Sequence, residues 1–128
     1  MAQTPNQLAV ASAADSAAPI DAIAAAVEVA GVLLQERREA ARQRQAIIAA
    51  NTELQERELI KLASLASALA GALRGRGVSE PAASLTAEAG IAVFKIAFGL
   101  WVGGDSEQDL PRLIQESLDE LKAVTAGK

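Results

Sequence analysis

The side chains in this 128-residue sequence that could do chemistry are few, because it has no Cys, no His and no Tyr. Without Cys or His, the Ser-His-Asp and Cys-His nucleophilic arrangements are excluded, and with them thiolate and imidazole metal sites. No Gly-rich loop ending in Lys-Ser/Thr and no dinucleotide fingerprint occurs. The acids of Glu116-Ser-Leu-Asp-Glu120 lie opposite the apolar stripe of their helix, where a solvated face explains them. Two charged residues do fall on apolar faces. Arg44 sits between Ala40/Ala41 and Ile47/Ile48 on a helical wheel, and Glu58 points the same way as Leu65. An arginine so placed snorkels to water, pairs with a carboxylate, or offers its planar fork to an anion. Glu58 has Lys61 three residues on as a pairing partner, and otherwise marks a helix end in water or the mouth of a pocket. This is an inventory for binding: no enzyme, no cofactor and no metal is expected.

The elements that must position these residues are helices. Half of the sequence is hydrophobic (51%) but only 2% is aromatic, and Ala fills 30 positions. Such a core is built from Ala, Leu, Ile and Val, which favours closely packed helices, and no run alternates β-branched with polar residues. The fold class expected is all-α. The net charge of −4 argues against nucleic-acid binding by this chain itself, since phosphate contacts need a basic face. The start, Met1-Ala-Gln-Thr-Pro-Asn-Gln, lacks the charged n-region of a signal peptide. Of two apolar stretches, Ala17–Leu34 carries Asp21 and Glu28, and Ala89–Gly104 is short with Lys95 at its middle. Both read as buried helices, with no membrane span, and the expected compartment is the cytoplasm.

Leu8, Ala11 and Ala14 have the spacing of a short helix, but Pro5 and the polar scatter predict a loose beginning over 1–18. Pro19 and Asp21 then open a helix over 20–34 with a stripe of Ile20, Ile23, Val27 and Leu34. From Gln35 to Gln45 the composition turns to Gln, Glu and Arg, predicting a solvated helix laced with Glu–Arg pairs that ends at Asn51. Thr52 is the expected N-cap of a helix over 53–74, with Leu54, Leu62, Leu65, Leu69 and Leu73 as its stripe. Arg74-Gly-Arg-Gly-Val-Ser-Glu-Pro81 is the clearest break. Gly75 or Gly77 supplies a left-handed C-cap, and Ser79 caps the next helix, over 80–102. Gly103-Gly-Asp-Ser106 is a loop. A last helix starts between Ser106 and Pro111 and runs to Val124, with Leu110, Leu113, Ile114, Leu118, Leu121 and Val124 as its stripe, and 126–128 form a tail.

The 80–102 helix holds both Phe residues and the only Trp. Its apolar sector is about twice the ~100° that a surface helix needs, so it must cover its own core and something beyond it. Gly99-x-x-x-Gly103 is a small-residue contact pattern, weak outside a membrane. Gly77-Val-Ser79 is the kind of tripeptide that forms the turn of a helix-turn-helix. The helix after it is apolar throughout, whereas a recognition helix must present polar side chains to base edges.

Residues Ala49–Trp101 carry, in order, Glu53-Leu-Gln-Glu-Arg57, an Ala/Leu-rich helix, Arg76-Gly-Val78, and a helix with Phe94, Phe98 and a terminal Trp101. This order resembles the C-terminal domain of TetR/AcrR-family transcriptional regulators, and the resemblance extends over about 19–124. It implies a five-helix orthogonal or antiparallel bundle over 19–125, with 1–18 a flexible or remnant linker helix. It implies a domain that binds a small, mostly apolar or amphipathic effector and forms a homodimer through its last two helices. DNA would be contacted only through a helix-turn-helix domain, which this chain does not contain. The ligand-binding candidates are Arg44, Glu58, Leu62, Leu65 and Phe94, and the interface candidates are Phe98, Trp101, Leu113, Ile114 and Leu121. Two other readings compete: a helical scaffold with no ligand, told apart by the absence of a thermal shift with hydrophobic small molecules, and an amphipathic lipid-surface protein, told apart by co-sedimentation with anionic vesicles.

Overall fold

The computed structural model describes residues 5–104 and 108–126. Among the described residues every regular element is a helix: α1 (Pro5–Ser12), α2 (Pro19–Leu34), α3 (Arg38–Ala49), α4 (Thr52–Gly75), α5 (Ala82–Gly103) and α6 (Leu110–Val124), with a 3-10 turn at Gln35–Arg37 joining α2 to α3. The all-α class and the five helices expected after Pro19 are present. Asp105 and Ser106 of the expected loop, and the last two residues of the expected tail, lie outside the described residues.

Side chains that terminate the helices explain the boundaries. Pro19 stands in the first turn of α2, where its missing N–H is no loss. The cap of α4 is Asn51 and not Thr52: its side chain accepts a hydrogen bond from the Leu54 N–H at 3.2 Å, so the cap lies one residue earlier than expected. Gly77 adopts the expected left-handed conformation (φ 92°) after α4, and the Val78 N–H closes the turn on the Leu73 carbonyl at 3.1 Å. Ser79 does not cap α5. Glu80 does that work, its carboxylate accepting from the Ser84 N–H (2.8 Å) and the Ser84 hydroxyl (2.7 Å). Asp109 caps α6 through the Arg112 N–H at 2.9 Å.

The core sits where α2 and α5 cross the other helices. Trp101, Ile23, Leu69, Leu73, Leu110, Ile114 and Val10 are its largest fully buried side chains, and Ala22, Ala83, Ala87 and Ala97 fill the narrow gaps between them. Gly90 sets the distance between α2 and α5, because a Cβ there would overlap the Ile23 Cγ2 methyl. Gly31 does the same between α2 and α6, where a Cβ would come within 2.7 Å of Ile114 Cδ1. At Gly99 and Gly103, the small-residue pattern of α5, no other described residue lies within 4 Å of an added Cβ. α1 packs on α2 and α4 and buries Val10. Arg76 holds it there, donating to the carbonyls of Val10 (3.1 Å), Ala13 (2.7 Å) and Ala14 (2.7 Å). At the other side of the bundle the Lys122 ammonium donates to Asp21 at 2.7 Å. That hydrogen bond, more than the surrounding carboxylate charge, holds the Lys122 pKa above its ordinary value.

Candidate functional site

Arg44 and Glu58 meet. α3 and α4 form a tight hairpin, closed by the Asn51 cap and by the Gln55 side-chain amide, which donates to the carbonyls of Ile48 (3.2 Å) and Ala49 (3.0 Å) at the end of α3. This sets the last turns of α3 against the first turns of α4, and the Arg44 guanidinium pairs with the Glu58 carboxylate across the seam. The partner of Glu58 is therefore Arg44, fourteen residues back, and not Lys61 on its own helix. Around the pair lies an open groove of about 520 Å³, lined on the α3 side by Ala40, Gln43, Ile47 and Ile48 and on the α4 side by Leu54 and Arg57. Leu62 and Leu65 lie farther along α4, partly buried against the core, and Phe94 packs against the core with its ring 5.7 Å from that of Phe98. None of these three lines the groove. Ile47, Ile48 and Arg57 line the groove although the sequence reading did not single them out as candidates; their helical spacing from Arg44 and Glu58 already carried the signal.

A second groove, about 440 Å³, runs between α5 and α6. Ala92, Ile96 and Leu100 line it from α5, and Leu121 and Val124 from α6, with Glu116 and Glu120 at its rim. Ile96, Leu100 and Val124 are 61%, 53% and 70% exposed, a large outlay of apolar surface in water. The interface candidates fare unevenly against this face. Leu121 lines it, and Leu113 reaches its floor although nearly buried. Trp101 and Ile114 are 0% and 1% exposed and belong to the chain's own core, and Phe98 is half-buried beside Trp101 at 5.8 Å. Neither Trp101 nor Ile114 presents side-chain surface on this face. The physical reason is that α6 spends its stripe on α2 and α5, and Gly31 and Gly90 let those helices close over it.

The Arg-rich helix α3 is more than a solvated surface. Arg38 donates from Nε to the Trp101 carbonyl (3.0 Å) and from Nη2 to the Gly104 carbonyl (3.1 Å), and Arg42 donates to Val102 (2.9 Å) and again to Gly104 (3.0 Å). The last carbonyls of a helix have no partners within it and carry the negative end of its dipole, so two guanidinium groups there satisfy both demands. α3 therefore borders the Arg44–Glu58 groove with one face and grips the end of α5 with another. No group of three or more His, Cys, Asp or Glu able to hold a metal ion occurs among the described residues.

Comparison with known proteins agrees with this architecture. No curated protein matches the chain. A family profile described as the MftR C-terminal domain matches residues 17–126, which spans α2 to α6 and takes in both grooves. With that match over most of its length, the chain belongs to the TetR family of transcriptional regulators, as a C-terminal domain of the MftR type.

Proposed function

We propose that this chain is an effector-binding and homodimerising regulatory domain that does no catalysis, acts in the cytoplasm and reaches DNA only through a separate helix-turn-helix domain. In this reading 19–125 is the regulatory unit and α1 is the end of a connecting helix. The observation that carries the dimer is the exposed apolar groove between α5 and α6. Length and hydropathy alone would let α5 cross a bilayer, but a third of its apolar window is buried in the bundle, where α5 packs on α2, α3, α4 and α6, and Lys95 stands on its exposed side. A second copy covers that face best. α5 has 22 residues and is about 33 Å long at 1.5 Å per residue. With α6 packed beside it at roughly 9 Å, two such faces would bury on the order of 1,200 Å² or more, the lower end of stable interfaces. Gly99 and Gly103, with no other described residue within 4 Å of an added Cβ, leave room for the partner's helix.

Light scattering is expected to report a particle near twice 13.2 kDa at micromolar concentration. Ile96→Glu should convert it to a monomer of unchanged helicity, because Ile96 supports little of the protomer's own core. A wild-type monomer, or an Ile96→Glu dimer of unaltered affinity, would overturn the interface. Trp101→Glu is a poor test, since a carboxylate at a fully buried site unfolds the protomer itself.

The effector is small and carries substantial apolar surface. The α3–α4 groove supports this reading by its size, within the roughly 300–1,000 Å³ of small-molecule sites, and by its apolar walls around a few polar groups. Binding there would shift the population between arrangements of the bundle and so the placement of attached DNA-binding heads.

A further inference from the structure

The charge of the α3–α4 groove runs against that of the protein. The whole chain is at −4, yet the groove walls hold two guanidinium groups, Arg44 and Arg57, against the single carboxylate of Glu58. Arg57 makes no hydrogen bond or ion pair among the described residues. Arg44 is tied to Glu58, but both side chains reach water, at 53% and 28% exposure, and ion pairs so placed are worth at most about 1 kcal/mol and exchange partners at little cost. Beside the guanidinium groups run Ile47, Ile48 and Leu54, and Ile47 stands largely in solvent. A neutral apolar ligand would leave Arg57 unpaired while shielding it from water, an unfavourable exchange. A cation would meet two like charges.

From this we infer that the groove takes an amphipathic monoanion, a free small molecule with a carboxylate-like head and an aliphatic tail. The head lies between Arg44 and Arg57, the tail runs along Ile47, Ile48 and Leu54, and Glu58 is a built-in competitor that occupies Arg44 until the ligand replaces it. Planar bidentate recognition is what arginine offers a carboxylate. The inference deepens the effector-binding reading by naming the ligand's chemical class.

The test is calorimetric titration of the full chain with decanoate, decanol and decylammonium below their aggregation concentrations. Decanoate is expected to bind at least tenfold more tightly than either, with affinity falling as salt rises. Arg57→Gln and Arg44→Gln should each weaken decanoate by about tenfold, whereas Glu58→Gln should tighten it several-fold, since Arg44 is then free. Leu85→Gln, exposed and outside both grooves, should leave decanoate affinity unchanged. Equal binding of decanol, unchanged affinity in Arg57→Gln, or weaker binding in Glu58→Gln would each overturn the proposal, as would no binding of decanoate at millimolar concentration. Anionic vesicles that bind the chain while monomeric decanoate does not would point to a lipid surface and overturn it as well. Light scattering on the same samples separates this result from the dimer. A dimer that ignores decanoate removes only the ligand class, and a monomer that binds it removes only the interface.

Discussion

Gly90 and Gly31 look alike in the sequence and differ in what stands opposite them. At Gly90 the neighbouring atom is Ile23 Cγ2, a methyl on a β-branched carbon whose rotamer in a helix is nearly fixed, with Ile23 Cβ itself 3.5 Å from the added Cβ. At Gly31 it is Ile114 Cδ1, the free end of a side chain that can swing. Alanine gains up to about 1 kcal/mol of helix propensity over glycine at either site. Overpacking costs about 1–3 kcal/mol where neighbours cannot yield. Thermal or urea denaturation should therefore find Gly90→Ala destabilised and Gly31→Ala near neutral; the reverse order would refute this account of the α2–α5 contact. Glu80 supplies a pH-dependent effect at the same scale. The Ser84 hydrogen bonds first, then Arg74 at 2.9 Å, hold its carboxyl below the ordinary 4.5. A carboxyl lowered on folding stabilises the native state above its unfolded pKa, and the contribution is lost as pH falls through the lower folded value. Glu80→Gln should thus melt below the wild type at pH 7, with the difference shrinking steadily from about pH 4.5 downward. A gap unchanged at pH 3 would show that the charge of Glu80 is irrelevant to α5.

At the scale of elements, most of the fold was legible. Apolar spacing and punctuation by Pro19, Asn51 and Gly77 mark α2, α4 and α5 to within two residues, because capping and periodicity are local properties of the chain, while the start of α6 was bounded only between Ser106 and Pro111. Legibility fails where a helix is apolar on two sides. The sequence says that α5 covers two things; it does not say that Trp101 turns inward and Ile96 outward, because that choice rests on how other helices approach α5, as Ile23 of α2 does at Gly90. The candidate groove divides the same way. Arg44 and Glu58 were legible as charges on apolar faces, but their pairing across a hairpin depends on the turn at Ala50–Asn51. Leu62, Leu65 and Phe94 were drawn in by periodicity alone, which cannot tell a pocket wall from a packed core. The arginines of α3 were hidden for a related reason: Arg38 and Arg42, four residues apart on one face, look the same whether they meet water, a glutamate or another helix's carbonyls.

For the whole molecule, the decisive property is that an Ala-rich chain has few polar side chains of its own with which to finish its helices, and so borrows them. The end of α5 is finished by Arg38 and Arg42 of α3, the start of α6 by the Gln35 side chain, which accepts from the Leu110 N–H at 2.6 Å, and the end of α1 by Arg76 beyond α4. Fraying of a helix terminus is ordinarily a private event, with a free energy near zero and no effect on neighbours. Here a terminus cannot open without pulling a side chain off another helix, so local openings are coupled to the global one. The wild-type chain should unfold in a single transition whose calorimetric and van't Hoff enthalpies agree. In the Arg38→Ala/Arg42→Ala variant the amides of residues 101–104 should exchange hydrogen well below the global free energy, and the transition should broaden or split. Equal protection in both proteins would mean that the borrowed caps do not carry the cooperativity.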